Sequence, residues 1–504
     1  MAARKSPFGK KPSDADPANG VQQGSSEQGR LNQAGNDQAG AEQDGNGERG
    51  THPVDAVLPP AKLLAYGVQH IAAMYAGVVA PPMIIGQAIG LSPLRMTLLI
   101  GASLLTAGLA TLLQSLGIWR IGARLPFVNG VTFGSVAPML AIVAQGHADP
   151  LPVIYGAVLI AGALAFLAAP YFSRMVRFFP PVVNGSVITL IGLSLMPVAV
   201  KWIVGQQQSA PDYASPLKIG MGALTFVLVL LLNRFLKGFW NRIALLVGLF
   251  AGTLIAWPLG LIDTTTFAQA PVFDLPVPFQ LGAPTFDFTA TLSVCLVMLV
   301  AMMESTADMI ALGEIVERPA DERTIADGLR ADGAGSALSA LFGGFTCSAF
   351  AQNIGLVALT RVKSRYVVAA AGGVLVLLGL FPITGAVVSL VPQPVLGGAA
   401  LVLFGSVAVS GIRTLGKANL GDPFNALIVA GTLGIGLIPV VSPGFYENFP
   451  SALRTVLDSG ISAGCLAALA LNLLFNGTRR TSSAESSTAP ATPRTSGTVD
   501  EMTT

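Results

Sequence analysis

The sequence predicts an all-α polytopic membrane protein with about fourteen transmembrane segments. Of the 504 residues, 52% are hydrophobic and only 11% are charged, and the mean hydropathy is +0.64. A soluble core could not absorb that much apolar surface, whereas a lipid bilayer can cover it. Most apolar runs approach the ~20 residues that a helix needs to cross a bilayer. The runs lie at about residues 62–83, 96–117, 126–144, 151–171, 181–200, 217–233, 243–261, 289–312, 334–344, 348–360, 366–388, 394–411, 424–441 and 453–475.

Polar tails flank this membrane part. Residues 1–56 are rich in Gly, Gln, Asn, Asp and Ser, and residues 477–504 are rich in Ser, Thr and Pro. Because neither tail shows hydrophobic periodicity, we expect both to be disordered. No apolar run follows the basic start of the chain, so we expect no cleavable signal peptide. The membrane domain is therefore expected to occupy residues 57–476.

The basic residues predict the orientation of the segments. If the N-terminus is cytoplasmic, the inside loops collect most arginines and lysines, Arg330 and Arg413 among them, whereas the outside loops hold little more than Arg95 and Lys201. The positive-inside rule then favours an even number of spans with both termini in the cytoplasm. We expect a multi-pass protein of the cell membrane.

The remaining bulk properties exclude several classes of protein. The net charge is only +2, so nothing indicates a nucleic-acid partner. Cys295, Cys347 and Cys465 are scattered through apolar runs, without the spacing of a disulfide framework or a metal site. A membrane-embedded enzyme would need a nucleophile with its base, or a set of metal ligands, and the membrane part offers neither.

Two regions interrupt the regular pattern of apolar runs. The third run is broken by Asn129-Gly130 and Thr132-Phe133-Gly134, and the ninth and tenth are short and separated by Gly343-Gly344. Short, glycine-interrupted spans in the two halves of a chain indicate the binding site of a transporter. We therefore expect the substrate to bind between the third and tenth segments.

A weak internal repeat relates the two halves. The fifth and twelfth runs open with the same pattern of residues: Pro181-Val182, Gly185 and Gly192 in one, and Pro394-Val395, Gly398 and Gly405 in the other. An odd offset between paired segments makes them cross the membrane in opposite directions. The pattern is typical of an inverted repeat of about seven plus seven segments.

Polar side chains inside the apolar runs are the candidate functional residues. Gln352 and Asn353 begin the tenth run, and each unmet amide at membrane depth would cost several kcal/mol. Glu304 and Asp308 in the eighth run are four residues apart, which places both carboxylates on one helix face. Two neighbouring carboxylates in a low dielectric cannot both ionise cheaply, so the pair is suited to carry a proton.

Three further residues admit two interpretations each. Asp332, at the start of the ninth run, is either functional or a helix N-cap. His70 in the first run forms an interhelical hydrogen bond or carries a proton. Phe133, next to Thr132 on the broken third run, packs in the core or stacks on a flat aromatic ligand.

Together these residues resemble the nucleobase-ascorbate transporter family of nucleobase-cation symporters. The signature of that family is Gln or Glu, Asn, any residue, Gly, four residues, Thr and often Arg, and the chain matches it with Gln352, Asn353, Gly355, Thr360 and Arg361. The likeness also includes Gln69-His70, Val131-Thr132-Phe133, Glu304 with Asp308, and Ala331-Asp332-Gly333. It covers the whole membrane part and leaves out both tails.

The resemblance implies a fold and an assembly. It implies a core domain (residues 57–177 and 289–390) and a gate domain (residues 178–288 and 391–476). The third and tenth segments would be half helices, each preceded by a short strand. The protein would be a homodimer.

The resemblance also implies roles for single residues. Glu304 and Gln352 would hydrogen-bond the base, Phe133 would stack on it or contact it through its backbone, and Ala351 would add a further contact. Asn353 would brace the site, and Asp308, Asp332, His70 and Thr132 would act in coupling or in support of the site. The coupling ion would be H⁺ rather than Na⁺, with no cofactor or metal.

Substrate choice within the family depends on two positions. Uracil permeases of the family place Glu where this chain has Gln352 and His where it has Asp308, so the pair resembles the xanthine and uric acid branch. We therefore expect proton-coupled symport of xanthine, uric acid or both. The alternatives are a uracil or other pyrimidine permease and a sulfate-type anion exchanger of similar fold, against which the acid at Glu304 argues.

Overall fold

Helices form most of the structure, a computed structural model that describes residues 52–175, 180–205, 208–262, 267, 273–274 and 276–476. The numbered helices are α1 (Pro60–Ile89), α2 (Pro93–Leu116), α3 (Val136–Ala144), α4 (Pro150–Met175), α5 (Pro181–Val204), α6 (Pro216–Phe235), α7 (Ala244–Ala256), α8 (Phe288–Ile315), α9 (Glu322–Phe342), α10 (Ala351–Thr360), α11 (Arg365–Leu380), α12 (Gln393–Leu415), α13 (Pro423–Val441) and α14 (Gly460–Asn476). Shorter helices at Phe239–Arg242, Ile383–Ser389 and Ser451–Asp458, and 3₁₀ turns at Pro53–Asp55 and Phe133–Ser135, are left unnumbered. The predicted tails fall outside the described residues, apart from residues 52–56.

The prediction of a helical, polytopic membrane protein is confirmed. Each predicted apolar run overlaps one of the numbered helices. Within the described part of the chain, eight helices are long and apolar enough to cross a membrane, namely α1, α2, α4, α5, α6, α8, α12 and α13. Helices α7, α11 and α14 are apolar but shorter. The exact number of spans stays a prediction.

Proline and short polar residues set where many of these helices begin. Ser92 precedes Pro93 at the start of α2, and Ser215 precedes Pro216 at the start of α6. In both cases the serine hydroxyl accepts a hydrogen bond from a backbone N–H of the first turn. Proline suits that turn because its fixed φ is helical and its missing N–H would have no partner there.

The third and tenth segments are half helices preceded by strands, as predicted. Strand β1 (Asn129–Val131) pairs antiparallel with β2 (Cys347–Ala349), with Gly130 opposite Ser348. Helix α3 follows β1 through the 3₁₀ turn, and α10 follows β2 directly. The glycine in β1 is required by a close approach, because a Cβ at Gly130 would overlap the ring of Phe350.

The ninth segment corrects the prediction made from sequence. It is neither short nor broken, because α9 begins at Glu322, is capped by the side chain of Asp321, and ends before Gly343. Hydropathy missed the first half of α9 because that half carries charges, but they are paired: the Arg330 guanidinium lies 2.5 Å from the Asp327 carboxylate. Asp332 is therefore buried in the middle of a helix and is not an N-cap.

Helices from the two halves of the chain pack in pairs. Helix α5 packs along α12, α4 along α9, and α2 along α11. The first pair joins the two segments that carry the repeated Pro, Val and Gly pattern. A Cβ at Gly192 would lie 2.6 Å from the Phe404 carbonyl oxygen, so glycine lets α5 and α12 approach closely. The division into core and gate domains stays a prediction.

Candidate substrate site

A cavity of about 240 Å³ lies where the two broken segments meet α5, α8 and α12. The strand pair supplies two stretches of its wall, Val131–Gly134 and Ser348–Phe350, and α8 supplies Glu304. The opposite wall consists of Ile188 and Ile191 of α5 with Ser406, Val407, Ser410 and Arg413 of α12. The cavity therefore has polar groups on both sides of an otherwise apolar space.

The chain lines this cavity just before each half helix begins. Thr132, Phe133 and Gly134 line it between β1 and α3, and Phe350, the N-cap residue of α10, lines it between β2 and α10. The first N–H groups of a helix have no acceptor within the helix, and the dipole places partial positive charge there. Two such N-termini can donate hydrogen bonds to the oxygens of a ligand.

Side-chain hydroxyls form hydrogen bonds with the backbone groups on the outer edges of the strand pair. A two-stranded sheet leaves backbone groups unpaired on its outer edges, which is costly inside a membrane. On β1, the Thr111 hydroxyl donates to the Asn129 carbonyl (3.0 Å) and accepts from the Asn129 N–H (3.1 Å). On β2, Ser336 accepts from the Cys347 N–H (2.9 Å). These hydroxyls hold the strands, and with them the half helices, in place.

Glu304 and Asp308 occupy different positions relative to the cavity. Glu304 lines it and is half-buried. Asp308 lies one helical turn further along α8 and is not part of the cavity wall. Its Oδ2 is buried and has no hydrogen-bond partner within the described part of the protein. The two carboxylates share a helix face as expected, but only Glu304 is placed to meet a ligand.

Phe133 and Thr132 form the corner between β1 and α3. Phe133 lines the cavity and packs edge to face against Phe404 of α12, with ring centroids 5.9 Å apart. The Thr132 hydroxyl accepts a hydrogen bond from the Gly134 N–H (3.3 Å), and the Thr132 backbone N–H donates to the Thr346 carbonyl (2.9 Å). Thr132 therefore ends the strand and begins the half helix while also lining the cavity.

Ala351 and Gln352 form the first turn of α10, directly after the cavity residue Phe350. Their side chains lie outside the described part of the structure. The contacts predicted for them stay predictions.

Asn353 connects α10 to His70 of α1. The Asn353 side-chain N–H₂ donates to the His70 carbonyl (3.1 Å) and lies 3.0 Å from His70 Nδ1. Since the bond to the carbonyl orients the amide nitrogen toward α1, Nδ1 of His70 must accept and the ring proton lies on Nε2. This arrangement favours the interhelical hydrogen bond over proton carriage for His70.

Asp332 of α9 hydrogen-bonds two other elements directly and reaches a third through Ser336. Its Oδ1 accepts from Asn129 of β1 (2.6 Å) and from Gln114 of α2 (3.3 Å). Its backbone carbonyl accepts from Ser336, which in turn holds β2. Asp332 is thus a buried support for the strand pair rather than part of the cavity wall.

Comparison with known proteins decides the family. Residues 61–445 match the Xan_ur_permease model, which describes a permease family. The chain belongs to the nucleobase-ascorbate transporter family. It is accordingly a multi-pass membrane permease and not an enzyme.

Several relatives of this permease are named for the purines that they carry. It is 40% identical to the uric acid transporter UacT of Escherichia coli over 85% of this chain and 89% of that protein. It is 39% identical to the uric acid permease PucJ of Bacillus subtilis, over 82% of this chain and 93% of that protein. The xanthine permease of B. subtilis is 38% identical, over 82% and 94% of the two chains.

Solved structures confirm the fold of this nucleobase-ascorbate transporter. The transmembrane domain of the cyanobacterial bicarbonate transporter BicA matches with a TM-score of 0.54 at 16% identity, over 80% of this chain and 96% of that chain. The murine anion transporter Slc26a9 in the inward-facing state matches with a TM-score of 0.55 at 12% identity, over 92% and 76%. At such identities the likeness concerns the fold alone.

Residues of α12 in the cavity wall of this permease were missed from the sequence. Ser406, Ser410 and Arg413 all contact the cavity, although the charge pattern assigned Arg413 to an inside loop. Arg413 in fact lies in the last turn of α12. The signal was present, because Ser406 and Ser410 are four residues apart within the twelfth apolar run and Arg413 follows three residues later, which is helical spacing.

An ion-pair cluster fixes one end of the helices that carry the site. Asp55, just before α1, pairs with Arg318 after α8 (3.1 Å) and with Arg365 at the start of α11 (2.7 Å). Nearby, Lys363 pairs with Glu317 (2.9 Å), and its hydrogen bond and charge lower the pKa of that carboxyl. These contacts join the ends of α8 and α10 to the start of the membrane part.

No group of His, Cys, Asp and Glu side chains within the described residues has the arrangement of a metal site.

Proposed function

We propose that this permease carries an oxidised purine base, xanthine or uric acid, across the cell membrane in symport with protons. The observation that carries the proposal is the cavity that combines the Glu304 carboxylate, the Phe133 ring and two half-helix N-termini. The names of the relatives at about 40% identity support the same substrate class.

The chemistry of a purine base fits these groups. An oxidised purine is flat, carries ring N–H donors, and has carbonyl oxygens on its edge. Glu304 would accept hydrogen bonds from ring N–H groups, and the helix N-termini would donate to the carbonyl oxygens. Phe133 would contact the flat face or the edge of the base. The Gln352 amide, in the first turn of α10, offers both donors and acceptors and would complete the set.

Arg413 bears on the choice between xanthine and uric acid. It contributes a cation to the cavity wall on α12 and is exposed. Uric acid is the stronger acid of the two and is mainly an anion at neutral pH, so this guanidinium would favour it. Replacing Arg413 with Gln should therefore weaken uric acid uptake more than xanthine uptake.

Proton coupling would act through α8. Glu304 faces the cavity, and the buried, unpartnered oxygen of Asp308 lies one turn away. A carboxyl group in such a site is suited to gain a proton with the substrate and to lose it when water enters. We expect H⁺ rather than Na⁺, because the proposed coupling rests on carboxyl protonation alone.

The assembly and orientation follow the family pattern. We propose a homodimer with both termini in the cytoplasm, in which α1–α4 with α8–α11 move as a core domain against a gate domain of α5–α7 with α12–α14. The preference of α5 for α12 and of α4 for α9 as packing partners supports this division. The cavity lies between the two groups of helices, where relative motion would expose it to either side.

Anion exchange is the second candidate, because the solved structures of similar fold include bicarbonate and anion transporters. The Glu304 carboxylate would accept hydrogen bonds from the ring N–H groups that xanthine and urate both carry, whereas sulfate has no such donor, which favours the purine.

Uptake assays separate these possibilities. Radiolabelled xanthine, uric acid and uracil would be offered to a transport-deficient bacterial host that expresses the protein, with and without a protonophore. We expect saturable purine uptake that the protonophore abolishes, and loss of uptake in Glu304→Gln and Gln352→Ala proteins present in the membrane in normal amounts. Uracil uptake without purine uptake would refute the substrate, and uptake of bicarbonate or sulfate alone would refute the function.

A further inference from the structure

A second cavity, of about 260 Å³, lies away from the substrate site between α1, α5, α7 and α12. We call it the α1–α7 crevice. Its α1 wall includes Ala76 and Ala80, and its α12 wall includes Ala399 and Ala400. The small side chains on these two helices leave the space between them open. The crevice lies between helices that the proposed function assigns to the core and gate domains.

The lining of the crevice is apolar. It consists almost wholly of Ala, Val, Leu, Met, Phe and Trp side chains, and it contains no charged residue. Its one hydroxyl on α7, that of Thr253, donates to the Leu249 carbonyl of the same helix (2.8 Å). A water molecule needs two to four polar partners to be stable in a cavity, and this lining does not offer them. The crevice therefore suits hydrocarbon.

The shape of the crevice suits a long, thin ligand. Residues along one face of α7 line it over the whole length of the helix, namely Leu245, Leu246, Leu249, Phe250, Thr253, Leu254 and Trp257. From Leu245 to Trp257 the helix rises by about 18 Å. One leaflet of the hydrocarbon core of a bilayer is about 15 Å thick. An acyl chain of one leaflet would thus span the crevice from end to end.

The crevice is continuous with the surface that meets the lipid. Phe250 and Trp257 line it and are also 67% and 61% exposed on the outside of α7, in an apolar span. Trp202 lines it too but is only 3% exposed. Trp202 lies in the last turn of α5 and Trp257 directly after α7, and tryptophan rings near helix ends are typical of the membrane interface. A lipid that enters beside α7 would therefore keep its head group near the interface.

We propose that the α1–α7 crevice binds one acyl chain of a membrane phospholipid between α1 and the helices α7 and α12. The chain fills the space left by the alanines and separates these helices with a compliant layer. None of the residues that line the crevice also lines the substrate cavity.

Quenching of tryptophan fluorescence by brominated lipid tests the proposal. The protein has four tryptophans, and Trp119, Trp240 and Trp257 are all exposed, so each can be replaced by Phe to leave Trp202 alone. This protein would be reconstituted into vesicles of phosphatidylcholine with or without bromine on the acyl chains. We expect brominated lipid to quench Trp202 by a factor similar to that for a protein with Trp257 alone, although Trp202 is buried.

Two further variants exclude quenching by the surrounding lipid. Ala76→Phe, in the single-Trp202 protein, fills the crevice and should restore most of the Trp202 fluorescence. Val68→Phe, on the exposed face of α1 and outside the crevice, should leave the quenching unchanged. Weak quenching of Trp202 alongside strong quenching of Trp257 would overturn the proposal, as would equal quenching of Trp202 in the Ala76→Phe and Val68→Phe proteins. Neither result depends on which substrate the protein carries.

Discussion

Replacing Thr111 with Val should loosen the strand pair that presents the half helices. Valine keeps the shape of threonine but lacks the hydroxyl, which bonds both the N–H and the carbonyl of Asn129 (3.1 and 3.0 Å). Thr111 is fully buried, so water cannot replace the lost bonds. Thr97→Val is a matched control on the same helix, because the buried Thr97 hydroxyl donates to the Pro93 carbonyl of its own helix (3.0 Å) and makes no other bond within the described residues.

The expected magnitude follows from the two backbone groups left unpaired. Each buried donor or acceptor without a partner costs about 1–3 kcal/mol, so Thr111→Val should lower the free energy of unfolding by at least ~2 kcal/mol. Interhelical hydrogen bonds in membrane proteins average less, about 0.6 kcal/mol, because the unfolded state also finds partners. In the folded Thr111→Val protein, the N–H and the carbonyl of Asn129 would have no alternative partner at the strand edge. We therefore expect the larger loss, ~2 kcal/mol. The control retains its helical backbone bond and should lose under ~1 kcal/mol.

Thermal unfolding of the purified protein measures this difference. Cys347 and Cys465 are buried, so a thiol-reactive fluorogenic dye reports their exposure on unfolding. We expect Thr111→Val to lower Tm by about 2–4 °C. Thr97→Val should lower it by less than half as much. Equal Tm values for the two variants would refute the idea that hydroxyls hold the outer edge of β1.

Three other changes test single features of the site and its supports. Gly130→Ala should lower the free energy of unfolding by about 1–3 kcal/mol and reduce uptake, because the new Cβ would overlap the Phe350 ring. Unchanged uptake and Tm would contradict the close packing of Gly130 against Phe350. Asn353→Leu should lower both Tm and substrate affinity, because it removes the amide that donates to the carbonyl and to Nδ1 of His70. A pH profile of uptake that stays the same would agree with a bracing role for His70. Hydrogen bonds from Thr324 in the first turn of α9 lower the pKa of the Asp321 carboxyl in the folded protein. The Asp321 cap should therefore stabilise the fold fully above pH ~4, and this stabilisation should be lost as the pH falls through the lowered pKa of the folded state. Asp321→Asn should remove that dependence of Tm on acid pH, and an unchanged dependence would count against the cap.

Much of the fold could be predicted because bilayer thickness and charge asymmetry leave strong signals in a sequence. The broken third and tenth segments were visible as glycines and amides within apolar runs, and the family signature around Gln352 and Asn353 then implied strands and half helices. The correspondence of α5 with α12 as repeat counterparts was predicted from a short shared pattern, and the structure shows that the two helices also pack together. Each of these signals is local or periodic along the chain.

Two parts of the structure were missed for different reasons. The first half of α9 looked like a loop because Asp327 and Arg330 are charged, although they pair with each other three residues apart on the same helix. Gln114 and Thr111 look like ordinary polar residues of α2, and their role is set by Asn129 and Asp332, which lie far away in sequence. A side chain that caps a strand edge leaves no pattern of its own.

Arg413 was misplaced for a different reason. The positive-inside rule assigned it to a loop because basic residues usually end a span. It does end α12, but the helix is long enough for its last turn to reach the cavity wall. Charge counting locates the membrane boundary and does not distinguish a residue in the last turn from one in the loop.

Equilibrium binding of radiolabelled xanthine and uric acid to the purified protein would show whether the Glu304 cavity is a purine site. We predict saturable binding of at least one of the two purines and weaker binding of uracil. Glu304→Gln should weaken purine binding at least about tenfold, equivalent to ~1.4 kcal/mol. Glu314→Gln, an exposed acid on the same helix, should leave binding unchanged. Purine binding that is equally tight in the Glu304→Gln and Glu314→Gln proteins would contradict the assignment of this cavity as the substrate site.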